Sequence, residues 1–147
     1  MTKTHHKPVE VLLVEDNPAD SRLIVEAFKE GEALINLHVV SDGVEAMAFV
    51  RREDGYLDAP RPDLILLDLN LPRKNGYEVL AEIKADHALR RIPIVVLTTS
   101  HIQADATRAY DLHANCFLTK PIDLNQFFVL ARCIEELWLS SRNPRLA

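Results

Sequence analysis

Residues 63–83 read DLILLDLNLPRKNGYEVLAEI, and this stretch decides the fold. Its first six residues, DLILLD, are apolar between two aspartates, the pattern of a strand buried on both faces of a parallel sheet. A polar loop holding Pro72 follows. Gly76 then opens a helix with Val79, Leu80 and Ile83 on one face. The stretch is therefore one β–α unit, and its strand ends on a carboxylate, Asp68, rather than on a turn residue.

The same unit recurs in both directions. Toward the N-terminus, Val9–Val14 is an apolar run broken only by Glu10, followed by Glu15 and Asp16. Asn17 is a helix cap, Pro18 suits the first helical position, and Asp20 adds negative charge where the helix dipole favours it. Leu23, Ile24, Ala27 and Phe28 form the apolar stripe of this helix, which should end near Gly31. Residues 37–41 read as a second strand, Asp42-Gly43 as a turn, and Ala46, Met47 and Val50 as the stripe of a second helix. Residues 53–62, with Gly55, Pro60 and Pro62, read as loop. Beyond the opening stretch, Pro93 precedes a fourth strand, Ile94–Thr98. A helix is predicted over 103–112, a brief strand over 116–118, and a long helix over 123–139 after the Lys120-Pro121 interruption. Five such units predict an α/β fold, a doubly wound, five-stranded parallel sheet with helices on both faces; right-handed crossovers leave a small choice of strand orders, of which the flavodoxin-like 2-1-3-4-5 is the one adopted as the expectation. The expected organisation is an N-terminal tail over 1–8, one domain over 9–139 and a C-terminal tail over 140–147.

Composition agrees with one globular unit. The 147 residues are 48% hydrophobic and 27% charged, which excludes disordered and collagen-like chains. A domain of this size buries roughly 68–70% of its unfolded surface and needs neither metal nor disulfide to hold a core. The net charge of −5 argues against broad nucleic-acid binding. The polar start MTKTHHKP lacks a signal-peptide core, and no run approaches the roughly 18 apolar residues of a membrane span. A cytoplasmic location is expected. Cys116 and Cys133 match no zinc or redox spacing and read as buried thiols, and His5-His6 reads as part of a solvated tail.

The informative feature is where the polar residues fall. Glu15 and Asp16 follow strand one, Asp68 ends strand three, Thr98 ends strand four and Lys120 follows strand five. All lie at carboxyl ends of strands, where open α/β sheets bind ligands. If the order is 2-1-3-4-5, strands one and three are neighbours, and Glu15, Asp16 and Asp68 then converge. Three carboxylates repel one another in a partly desolvated site unless a cation joins them. Oxygen donors without His or Cys suit Mg²⁺ and not zinc. Lys120 offers a point charge to a phosphoryl oxygen and Thr98 offers a hydroxyl. Such a set suits phosphoryl transfer onto a carboxylate. Each piece also has a plainer reading: an acidic helix cap, an ordinary Lys-Pro helix entry, a polar strand end.

The chain resembles the response-regulator receiver domains of two-component signalling, from about Val9 to Leu139. The motifs that carry the resemblance are VEDNPAD (14–20), LLDLNLPRKNG (66–76), VLTTS (96–100) and FLTKP (117–121). It implies that Asp68 is the phosphoacceptor. It further implies that Asp16, Asp68 and the backbone carbonyl of Asn70 bind Mg²⁺ directly, with Glu15 acting through a bound water. Thr98 and Lys120 would contact the phosphoryl group, Thr98 and Phe117 would form a switch pair, and the Lys120-Pro121 bond would be cis. The segments EDGYLDAPRPDLILLDLNLP, AEIKAD, YDLHANCFLTKP and IEELWLS are similar to single-domain regulators that serve bacterial and cyanobacterial phytochrome kinases. His113 departs from the receiver pattern, which often has glycine there, and reads as a subfamily trait.

The resemblance implies a sensor histidine kinase as partner, suspected to be of phytochrome type, and output through protein contacts without nucleic acid or membrane. The chain would catalyse its own phosphorylation and hydrolysis, with no separate substrate, and is not expected to be an enzyme otherwise. The expected length leaves no room for an output domain. In the last helix, Leu124, Phe127, Phe128, Ala131, Ile134 and Trp138 share one face, while Val129, Leu130, Cys133 and Leu137 fall on roughly the opposite one. The second stripe suggests a homodimer interface, with cover by residues 140–147 as the alternative. Three other readings compete: an interaction module that no longer cycles phosphate, an aspartyl-phosphate phosphatase, and a flavodoxin-like electron carrier. The phosphatase usually needs an acid where Asn70 stands, and Glu15-Asp16 would repel the carrier's phosphate.

Overall fold

A computed structural model describes residues 8–30 and 35–98, and the backbone of 116–119. Val9–Val14 forms β1, Pro18–Glu30 α1, Ile35–Val40 β2, Gly43–Arg51 α2, Leu64–Asp68 β3, Gly76–Ala85 α3, Ile94–Thr98 β4 and Cys116–Thr119 β5. The strands are parallel in the order β2-β1-β3-β4, and the backbone of β5 runs parallel beside β4. The expected tails, the helices over 103–112 and 123–139, Lys120, His113, Cys133 and the proposed interface residues lie outside the described residues.

Alternation along the central strands divides the core in two. Leu12 and Val14, Ile65 and Leu67, and Ile94 and Val96 face a cluster with Ala46, Met47, Phe49 and Val50 of α2 and Val79, Leu80 and Ile83 of α3. Val11 and Leu13, Leu64 and Leu66, and Val95 and Leu97 face the other cluster, with Ile24 and Phe28 of α1. This two-sided burial is why these strands carry unbroken apolar runs. Each fully buried aliphatic side chain contributes roughly 1.5–3 kcal/mol.

Three sequence expectations need correction, at Leu23, at the second strand and at Asp42. Helical spacing places Leu23 on the apolar stripe of α1, but it is 57% exposed. Ile24 and Phe28, one helical turn apart, already fill the contact with the sheet, and Leu23 sits about 100° off that line. The second strand spans 35–40 rather than 37–41. It is the edge of the sheet and is only half buried, so its sequence INLHVV lacks a continuous apolar signal. Its polar residues are used: Asn36 donates to Glu10 Oε2 at 3.1 Å, and His38 Nε2 lies 2.8 Å from Glu10 Oε1.

Helix starts are fixed by side chains. Asn17 Oδ1 accepts from the amides of Ala19 (2.9 Å) and Asp20 (3.2 Å). Asn75 and Glu78 form a reciprocal capping box on α3. Asp42 is not a free turn but the cap of α2, accepting from the Glu45 amide at 2.8 Å. Glu45 in turn accepts from Ser41 and from Tyr56, whose hydroxyl pKa is raised by burial and then by Glu45 itself. No helix among the described residues is long and apolar enough to cross a membrane.

Two glycines mark close approaches. A Cβ on Gly43 would lie 1.9 Å from the Lys74 carbonyl oxygen, and one on Gly76 would lie 2.3 Å from the Asp68 carbonyl oxygen. Both contacts press a helix start against the β3–α3 loop. Gly43→Ala is therefore expected to destabilise the domain by about 1–3 kcal/mol, the cost of forced overpacking. A lowered urea midpoint at unchanged slope is the measurement that checks it.

Candidate functional site

The β1–β3 register builds the site. Leu13 pairs with Leu66 and Val14 with Leu67, so the next residues in line are Glu15 and Asp68. The Glu15 amide continues the sheet by donating to the Val40 carbonyl at 3.0 Å, and the Leu69 amide does so to the Leu97 carbonyl at 3.1 Å. Both acids thus sit at the carboxyl edge of the sheet, held by backbone on each side.

Glu15 and Asp68 are 2% and 3% exposed, while Asp16 is exposed. Carboxylate oxygens of all three lie within 4.8 Å of one another. The two buried acids are oriented alike. Glu15 Oε2 accepts from the Asn17 amide at 3.1 Å, and Asp68 Oδ1 accepts from the Asn70 amide at 3.0 Å. In each case the amide two residues on holds one oxygen in a short local turn. An all-carboxylate set at this separation suits a hard divalent cation and lacks the soft donors that zinc prefers.

The loop that follows Asp68 is bracketed. The Gly76 amide donates to the Leu69 carbonyl at 3.1 Å, closing its ends. Arg73 Nη1 donates to Asp42 Oδ2 at 3.1 Å, and Lys74 pairs with Glu82 on α3.

Of the residues singled out from the sequence, Glu15, Asp16 and Asp68 are brought together, and Asn70 stands on the adjoining loop with its amide on Asp68. Thr98 is the last residue of β4, one beyond Leu97, the strand partner of Asp68. The backbone of Phe117 pairs with Val96. Lys120 lies outside the described residues. Sequence reasoning missed Asp42 and Arg73. Asp42 could have been found from Glu45 three residues on, the spacing of a helix cap, but the partnership with Arg73 has no local signature.

Comparison with known proteins gives a consistent picture. The model of the response regulator receiver domain family matches residues 11–132. The chain is 49% identical over 141 residues to response regulator Rcp1 of Synechocystis sp., covering 96% of each protein. Its fold matches the crystal structure of the phosphorylated cyanobacterial phytochrome response regulator RcpA at a TM-score of 0.81, with 53% identity over 92% of this chain and 96% of that one. It matches the Mn²⁺-bound form of Rcp1 at a TM-score of 0.79, with 52% identity over 90% of this chain and 95% of that one.

Crowding of the three carboxylates sets an expectation for stability. With divalent cations removed by chelation, Asp68→Asn should raise the unfolding free energy by on the order of 1 kcal/mol through relieved repulsion, seen as a higher thermal midpoint. Added Mg²⁺ should stabilise the wild type and leave the variant almost unmoved. Differential scanning calorimetry with and without the cation checks both arms.

Proposed function

This chain belongs to the response regulator receiver domain family, and on that premise we propose that it accepts a phosphoryl group from a sensor histidine kinase onto Asp68. The observation that carries the proposal is the convergence of Glu15, Asp16 and Asp68 within 4.8 Å at the carboxyl ends of neighbouring strands. In this reading Asp16, Asp68 and the Asn70 carbonyl hold Mg²⁺, with Glu15 acting through a bound water. When bound, the cation would offset the negative charge gathered by the carboxylates and the incoming phosphoryl oxygens.

The chemistry belongs to Asp68. One carboxylate oxygen forms a P–O bond as the P–N bond of a phosphohistidine breaks, and the imidazole nitrogen keeps the electron pair. Its burial supports this role, since the nucleophile is pre-oriented by the Asn70 amide and shielded from bulk water. Hydrolysis of the acyl phosphate later restores the carboxylate. Thr98 and Lys120 are assigned to the phosphoryl oxygens, and Thr98 with Phe117 to a switch that biases two pre-existing states. The complete domain is read as the five-stranded form in the order 2-1-3-4-5, with further helices over 103–112 and 123–139. Similarity to RcpA and Rcp1 supports a phytochrome-type kinase as the donor. The apolar stripe of Val129, Leu130, Cys133 and Leu137 supports self-association through the last helix. Output is read as protein contact, in the cytoplasm, without nucleic acid.

Incubation with Mg²⁺ and acetyl phosphate should give one phosphoryl adduct by intact mass. It should be absent without Mg²⁺ and absent in Asp68→Asn, and an adduct that survives that substitution defeats the assignment. Light scattering after size exclusion should show a dimer at high micromolar concentration. A monomer there, with and without phosphorylation, removes the last-helix interface.

A further inference from the structure

The β3–α3 loop is tied to a part of the fold that takes no part in the chemistry. Asp42 lies beyond the end of β2, is 6% exposed, and divides its two oxygens. Oδ1 accepts the Glu45 amide and caps α2, while Oδ2 accepts Nη1 of Arg73 at 3.1 Å. Arg73 holds φ at 66°, in the left-handed region that a non-glycine residue rarely adopts. Next to it, the Lys74 carbonyl sits so close to Gly43 that a Cβ there would meet it at 1.9 Å. Side chain and backbone therefore seat residues 73 and 74 on the first turn of α2. The other end of the same loop begins at Asp68 and Asn70, joined by the 3.0 Å hydrogen bond.

We propose that the Asp42–Arg73 ion pair is a positioning clamp for cation binding, locking the start of α2 against the β3–α3 loop so that the Asn70 carbonyl is presented at the carboxylate cluster. The inference rests on the reading of Asn70 and the three acids as a cation site. A loop carbonyl aims only as well as its loop is fixed, and supporting partners beyond the ligands typically change metal affinity by about 10–100-fold. Asp42 and Arg73 thus act through backbone and touch neither the cation nor the phosphoryl group.

Simple electrostatics predicts the opposite sign for one of the variants, which makes the test decisive. Removing the Arg73 cation should tighten Mn²⁺ binding if only through-space charge matters, and weaken it if the clamp matters. Arg73→Gly is suited to this because glycine tolerates the left-handed φ, so the fold is spared. Asp42→Asn keeps a helix cap of equal rank while losing the charge. The free Mn²⁺ signal in electron paramagnetic resonance gives the dissociation constant of the full-length protein. Each single variant is expected to bind Mn²⁺ about tenfold more weakly. The double variant should be no weaker than either single, because one interaction is lost in all three. Arg73→Lys should recover part of the affinity. Melting midpoints in chelator report separately the stability lost when the buried Asp42 carboxylate loses its partner, and the affinity loss should persist at temperatures well below every midpoint, separating aim from stability. Unchanged or tighter binding in Arg73→Gly, alongside loss of binding in Asp16→Asn, overturns the clamp and leaves the cation site standing. Failure of the wild type to bind Mn²⁺ overturns both.

Discussion

Everything at the functional edge of this domain depends on one geometric constraint: parallel strands in register bring their ends level. Because Val14 pairs with Leu67, the residues that follow, Glu15 and Asp68, cannot avoid each other. The apolar cores on either side fix that register, since slipping by one residue would swap each strand's two side-chain sets between differently shaped cores. The electrostatic cost of adjacent carboxylates is thus imposed by hydrophobic packing, and the packing is large enough to hold it. A chain built this way gathers three carboxylates at one point of the sheet's carboxyl edge. An all-oxygen cluster of this kind suits a hard divalent cation.

Much of this was legible in the sequence, for identifiable reasons. β1 and β4 match their sequence-predicted bounds because each is an apolar run bounded by charged, polar or proline residues. The acids stood out because a strand ending in a carboxylate is uneconomical unless the carboxylate is used. The start of β2 lies two residues earlier than the sequence pattern places it, because an edge strand answers to its neighbour on one side only and Asn36 can be polar where a central strand could not. Leu23 was misassigned because periodicity gives the direction of a stripe but not its width.

The supporting contacts were not legible. Asp42 and Arg73 are 31 positions apart and belong to different β–α units. No spacing rule joins them, because their meeting depends on how two loops cross the top of a finished sheet. The same holds for the glycine contacts at 43 and 76, where the sequence shows a small residue and only the fold shows what it must admit. Residue type announces chemistry, whereas aim is a tertiary property.

The division of the core by a single sheet has a further consequence. The sheet is a bulkhead one backbone thick, and the two apolar compartments do not mix across it. Asp68 shares the parity of Leu64 and Leu66, which belong to the α1 compartment, while the chain leaving it runs into Leu69 and Leu71 of the other. A change at this residue is therefore felt on both sides of a wall that otherwise insulates them. The rim of the bulkhead is where a local chemical event can become a property of the whole body.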